Sequence, residues 1–206
     1  MTNPDLPTGM VDEWGVLSAG YAPWPFPSVG DTFTVASSVT FLRSGDRKIV
    51  HDPGFVRSRG AILDPLKERG FAPAEVTDVV ISHQHPDHTL NIALFENAAT
   101  HDVWGIYKND QWTLRFAEGV DLVPGVKLIQ TPGHTDQDIT VLVNTPDGLV
   151  ALTHLWWTSE LPPADDPVGT NNEAFHVSRE RVLALNPALI VPGHGPAFEP
   201  TSKTPR

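Results

Sequence analysis

The sequence predicts a mixed α/β (α+β) fold in which two sheets face each other and helices cover their outer sides. Three observations carry this. Residues 31–52 and 139–153 each read as an antiparallel hairpin around a short polar turn. Residues 48–69 and 75–96 each read as a strand followed by a helix. Hairpins mixed with strand–helix units place helices outside a pair of packed sheets. With 206 residues, 40% of them hydrophobic, the chain has enough material for one well-buried domain and is short for two.

Taken in order, residues 1–30 form an irregular N-terminal arm. Trp14, Tyr21, Trp24 and Phe26 alternate there with Pro23, Pro25 and Pro27. Such an arm packs on the domain surface, or it serves as an oligomer contact or a wall of a pocket. Residues 31–43 alternate as a strand with Phe33, Val35, Val39 and Phe41 on one face. Ser44-Gly45-Asp46 turns it into a return strand over 48–52. A helix follows over 59–69, with Ile62, Leu63 and Leu66 inward and Gly70 as its stop. Residues 75–82 form the next strand, and a helix runs from Pro86 to about residue 96. Short strands are expected at 103–107 and 126–129, then the second hairpin around Pro146-Asp147-Gly148. Residues 156–170 are a long acidic, proline-rich loop containing Pro162, Pro163, Asp165, Asp166 and Pro167. A helix over 172–185 and a last strand over 188–191 complete the domain. The polar tail 199–206 is expected to fray.

The chemistry concentrates in Ser82-His83-Gln84-His85-Pro86-Asp87-His88. If the chain stays extended past the strand, His83, His85 and Asp87 project to one side, because side chains alternate. Pro86 suits the first turn of a helix, where no backbone donor is needed. His88 then sits on that turn, and four ligand-capable groups converge at the mouth of a strand–loop–helix junction. Imidazole nitrogens with a carboxylate suit zinc, iron or manganese better than calcium or magnesium.

Composition excludes several classes. A formal charge of −11, from 14 basic against 25 acidic residues, gives a poor footing for nucleic acid, and the basic residues are scattered. No apolar run is long enough to span a membrane, and residues 1–10 lack the pattern of a signal peptide. There is no cysteine, hence no disulfide framework and no thiolate ligand. A cytoplasmic location is the expectation.

The pattern HxHxDH after a strand, filled by His83, His85, Asp87 and His88, resembles the signature of the metallo-β-lactamase superfamily. The contexts Thr131-Pro132-Gly133-His134-Thr135 and Val191-Pro192-Gly193-His194-Gly195 are similar to that family's later metal motifs. The resemblance spans about residues 31–198 and looks nearest to the branch of metallo-β-lactamase domain-containing protein 1, linked to RNA cleavage, which the acidic charge does not favour. It implies a four-layer αββα sandwich with metals at the edge between the sheets. It also implies His134 and His194 as ligands. His154 stands where most members carry a bridging aspartate, and imidazole remains a competent ligand. Asp52 resembles the family's strand-end carboxylate that orients a ligand imidazole. His51 points to the opposite face as a structural residue, and His101 and His176 have no metal context.

Two divalent metals follow as expected cofactors, zinc first, with iron or manganese as alternatives. One site would use His83, His85 and His134. The other would use Asp87, His88 and His194, with His154 completing one or both. The expected activity is hydrolysis of an ester-like bond (carboxylic ester, lactone or aryl ether) by a metal-bound hydroxide. Asp87 would be ligand and proton-steering base. Trp156 and Trp157 would line an apolar pocket, making the substrate small and hydrophobic. The alternatives are a phosphodiesterase or ribonuclease of the same fold, an iron oxidoreductase, or a metal-binding subunit of a hetero-oligomeric enzyme. A homo- or hetero-oligomer is compatible with the sequence.

Overall fold

The computed structural model describes residues 5–158 and 164–206, so residues 1–4 of the arm and Pro162 and Pro163 of the long loop lie outside it. Seven strands pair in sequence order into one sheet: β1 (Glu13–Ser18), β2 (Val39–Ser44), β3 (Arg47–His51), β4 (Asp78–Val80), β5 (Ala99–His101), β6 (Gly105–Lys108) and β7 (Gln111–Leu114). The second sheet contains β8 (Val120–Val123), β9 (Val126–Gln130), β10 (Ile139–Thr145), β11 (Gly148–Thr153) and β12 (Leu189–Pro192), ordered β12-β11-β10-β9-β8. The helices are α1 (Gly60–Glu68), the single turn α2 (Pro86–Thr89) and α3 (Asn172–Ala184).

Strand alternation divides the apolar residues into three cores. Leu42, Ile49 and Val80 of the first sheet meet Val141, Val150, Leu152 and Val191 of the second. The opposite face of the first sheet, with Phe41, Val50 and Val79, buries Ile62 and Leu66 of α1. Leu142, Ala151 and Ile190 on the outside of the second sheet bury Phe175 and Val182 of α3. The layers are therefore α, β, β, α, as the sequence implied. Each of the larger side chains, Val, Leu, Ile and Phe, contributes about 1.5–3 kcal/mol by leaving water.

Some elements differ from the expectation, and local bonding explains each. Residues 13–18, expected to be irregular, form β1, because Trp14 and Val16 pack on the inter-sheet core and the strand pairs along β2. Residues 31–35 do not extend β2. The backbone at 36–38 is claimed elsewhere, with Ser37 N–H donating to Asp87 O at 3.2 Å and Ser38 N–H to Gly193 O at 2.7 Å. The helix expected to continue to about residue 96 stops after Thr89, where Asn91 N–H donates to Pro53 O at 2.9 Å and pulls the chain off the helix axis. The tail does not fray throughout. Trp156 Nε1 donates to Pro205 O at 3.1 Å and Arg206 pairs with Glu180 at 2.7 Å. Strands β5, β7 and β8 were not anticipated; each is short and weakly patterned.

Candidate metal centre

Every ligand-capable side chain named above comes from the end of a strand or the loop just after it. β4 ends at Val80 and hands over to His83, His85, Asp87 and His88; β9 leads to His134, β11 to His154 and β12 to His194. Close backbone contacts hold these ends together. A Cβ on Gly54 would lie 1.8 Å from Asp87 O, so only glycine lets the β3 loop pass under the metal loop. One on Gly193 would lie 2.5 Å from the His154 ring. The Ser38 hydroxyl donates to Gly195 O and accepts from Gly195 N–H, both at 3.0 Å, locking the β12 loop to the first sheet.

The nitrogen atoms fall into the expected groups. His83, His85 and His134 form one cluster and Asp87, His88 and His194 another. His154 lies between them, grouped with His83 and His88 and also with His134 and Asp166. His83 Nε2 and His134 Nε2 each approach His85 Nδ1 at 3.0 Å, and His154 Nε2 approaches His194 Nε2 at 3.0 Å. Asp87 Oδ2 lies 3.6 Å from His88 Nε2 and 3.8 Å from His194 Nε2. Asp87 stays partly exposed, whereas His83, His88, His134, His154 and His194 are buried.

Outer partners decide which nitrogen each ring offers. Asp52 Oδ2 accepts from His88 Nδ1 at 2.7 Å, and Asp166 Oδ2 accepts from His134 Nδ1 at 2.8 Å. Ala36 O accepts from His194 Nδ1 at 2.9 Å. The Ser82 hydroxyl donates to Asp52 Oδ2 at 2.7 Å and lies 3.0 Å from His83 Nδ1, whose proton it accepts. With Nδ1 protonated, all four rings turn an Nε2 lone pair inward. Asp52 reaches this position from a left-handed backbone (φ 50°) that an aspartate tolerates better than most residues.

Electrostatics keep three of these rings in the neutral, lone-pair form and treat His88 differently. Burial, then neighbouring imidazoles, pushes His83 and His154 well below the usual histidine range, and burial takes His194 down as well. Burial would also lower His88, but the Asp52 carboxylate more than offsets it and the net shift is upward. Burial raises Asp52 too, yet the surrounding imidazoles and the bonds from His88 and Ser82 bring it down to about 2.

These residues fit a divalent metal. His83 Nε2, His134 Nε2 and His85 Nδ1 meet with at most one proton available on the shared Nδ1, so at least one close pair is lone pair against lone pair. His88 Nε2 is fully buried without a hydrogen-bond partner. A cation placed among imidazoles and a carboxylate removes both penalties.

Asp166 escaped the sequence reading, which saw it only as part of an acidic loop. It is buried, receives Trp157 Nε1–H at 3.0 Å besides His134, and also accepts Val168 N–H at 3.0 Å. Its one available signal was an acid nine positions after Trp157. Trp156 corrects the expected pocket. It is fully buried in the α3 core with Phe175 and Val182 and packs against Phe198, because the bend after β11 turns it away from the cavity. Trp157 does face the cavity, which measures about 140 Å³ and is also walled by Pro23, Phe26, Phe33, Val35 and Val168. Of the arm's aromatics, Phe26 packs edge-on against Trp157 at 5.5 Å. His101 pairs with buried Asp78 at 2.8 Å, and His176 with exposed Asp165 at 2.8 Å, both away from the cluster. His51 is buried beneath Asp52 at 3.7 Å.

Fold and donor set together define a metallo-β-lactamase-type scaffold, and the family model for the Metallo-beta-lactamase superfamily matches residues 32–154. The chain belongs to this superfamily. It is 33% identical over 176 residues to Metallo-beta-lactamase domain-containing protein 1 of Xenopus laevis, covering 82% of this chain and 75% of the relative. The mouse protein of that description is 34% identical, with 62% of its length spanned. Among solved structures, a Thermotoga maritima metallo-beta-lactamase-like protein superposes with a TM-score of 0.70 at 23% identity, covering 91% of this chain and 99% of the other. AidC, a dizinc quorum-quenching lactonase, superposes with a TM-score of 0.62 at 17% identity, covering 82% and 76%. At such identities the structures speak for the fold alone.

Proposed function

We propose that the protein is a metal-dependent hydrolase that opens an ester-like bond of a small, mostly apolar molecule, with a lactone or carboxylic ester as the leading substrate class and an aryl ether next. One observation carries this reading: inward-facing imidazoles and the Asp87 carboxylate line the floor of a cavity whose walls are Pro23, Phe26, Phe33, Val35, Trp157 and Val168. A sequence likeness to an N-acyl homoserine lactonase of Bacillus cereus, 30% identical over 107 residues, supports the substrate class. Membership of the superfamily supports hydrolysis as the reaction.

His83, His85 and His134 would hold one divalent ion, and Asp87, His88 and His194 a second, with His154 reaching either. Zinc suits this nitrogen-rich set. Such ions, when bound, activate water at neutral pH and polarise the bond under attack. The chain does the rest. Asp52, Asp166, Ser82 and the Ala36 carbonyl fix the tautomers and aim the rings. The apolar walls exclude bulk water and seat the substrate. Asp87, the partly exposed carboxylate at the cavity, keeps Oδ2 toward His88 and His194 and would accept the proton of the attacking water at Oδ1 and return it to the leaving oxygen. A polynucleotide fits poorly, because no Lys or Arg is among the described residues lining the cavity.

The test is metal analysis of the purified protein beside a panel of N-acyl lactones, aryl esters, aryl ethers and phosphodiesters. Turnover of lactones or esters that stops on chelation and returns with zinc is expected. Turnover of phosphodiesters alone would overturn the reading.

A further inference from the structure

A second recess opens beside the metal cavity. It measures about 310 Å³ and is lined by Tyr21, Ala22, Pro23, Thr34 and Arg57. Pro23 belongs to the walls of both spaces, so they meet at that ring. The two differ in chemistry. The inner one is apolar apart from the imidazoles and Asp87, whereas the outer one offers two hydroxyls and a guanidinium and has no carboxylate among its lining residues.

In a chain with 25 acidic residues against 14 basic ones, Arg57 is one of several described cations without a carboxylate partner, and it is the one that lines this recess. Arg43, Arg47, Arg69 and Arg181 are each neutralised by a carboxylate. Arg57 is exposed and has no ion pair or hydrogen bond with any described residue. The recess is also tied to the metal centre. Tyr21 and Ala36 exchange backbone hydrogen bonds at 3.0 Å in both directions, and the Ala36 carbonyl also accepts from His194 Nδ1 at 2.9 Å. The Tyr21 ring packs edge-on against Phe55 at 5.8 Å, two residues before Arg57.

We propose that this recess is a subsite for a carboxylate at the far end of the substrate, with Arg57 as its counter-ion and the Tyr21 and Thr34 hydroxyls as further donors. A guanidinium presents forked N–H donors that match a carboxylate. The substrate is then amphipathic: a scissile ester-like bond over the imidazoles, an apolar body against Phe26, Phe33 and Val35, and a negative end at Arg57. This inference rests on the hydrolase reading, from which it takes the position of the scissile bond.

The test uses the metal-loaded full chain and two matched series of alkyl hydroxamates of graded length, one ending in a free carboxylate and the other in its methyl ester. Calorimetry should show, at one chain length, about tenfold tighter binding of the carboxylate. That advantage should shrink with added salt. Arg57→Ala should remove it and Arg57→Glu should reverse it, while both leave the methyl-ester series within about twofold of the unaltered protein. No carboxylate advantage at any length, or an equal loss in both series on Arg57→Ala, would overturn the subsite while esters and lactones in the panel were still turned over. If the panel gave no turnover at all, the hydrolase reading would fall first and the subsite with it.

Discussion

Asp166 offers the sharpest perturbation of the centre, because one carboxylate there serves three donors. Its Oδ2 accepts from His134 Nδ1 and Trp157 Nε1, and its Oδ1 from Val168 N–H. Although burial raises its pKa, the bond from His134 and the other donors lower it on balance, so the group is ionised at neutral pH. In Asp166→Asn the amide oxygen can occupy the Oδ2 position and keep both aromatic donors. The amide NH2 then faces Val168 N–H, donor against donor, and the charge that strengthens the His134 bond is gone. Loss of such an orienting partner weakens metal binding about 10–100-fold, or roughly 1.4–2.7 kcal/mol. Asp166→Ala should match this and also lose about 2–4 kcal/mol of folding stability through the unpartnered donors. Chelator competition gives the affinity, urea unfolding the stability, and Trp157 fluorescence reports the indole bond. Metal affinity within about twofold of the unaltered protein in both variants would refute the assignment of Asp166 as the group that aims His134.

Three further outcomes are expected. His154→Asp should raise metal occupancy under chelator challenge, because one added negative charge at about 4 Å is worth of order 4 kcal/mol at an effective dielectric near 20 before relaxation; unchanged stoichiometry would place His154 outside the metal shell. Asp78→Asn should cost about 2–3 kcal/mol near neutral pH. Burial raises the Asp78 pKa, but His101, Arg47 and Thr77 together hold it below the normal aspartate value. Its contribution is therefore complete above the unfolded pKa of about 3.9 and is lost as pH falls through the lower folded pKa; the two stability curves should converge in acid, and parallel curves would contradict this. Gly54→Ala should abolish metal retention, since its Cβ would strike the Asp87 carbonyl at 1.8 Å; a variant that kept its metal would show that the loop can yield.

The sequence revealed the parts of this molecule whose information is local. Alternation and turn residues located β2, β3, β10 and β11, and helical spacing located α1 and α3. His83, His85, Asp87 and His88 announced themselves because four donors within six residues have few other uses. His134, His154 and His194 were legible through their motif contexts at strand ends. What was hidden depends on distant contacts. Asp166 acquires its role only when the 164–170 loop folds over His134, 32 positions away. Trp156 and Trp157 look equivalent in sequence, and only the path of the chain after β11 sends one into the α3 core and the other into the cavity. β1 was obscured by the prolines that follow it, and α2 ended early because Asn91 found a partner in Pro53.

The imidazole cluster is proposed to be a two-metal hydrolytic centre. Anomalous diffraction from crystals of the purified, metal-loaded protein tests it most directly. The expected result is two peaks about 3.5–4 Å apart, one within about 2.0–2.3 Å of nitrogens from His83, His85 and His134, the other equally near His88, His194 and an Asp87 oxygen. A cluster without a peak, or metal bound only at residues elsewhere, would contradict it.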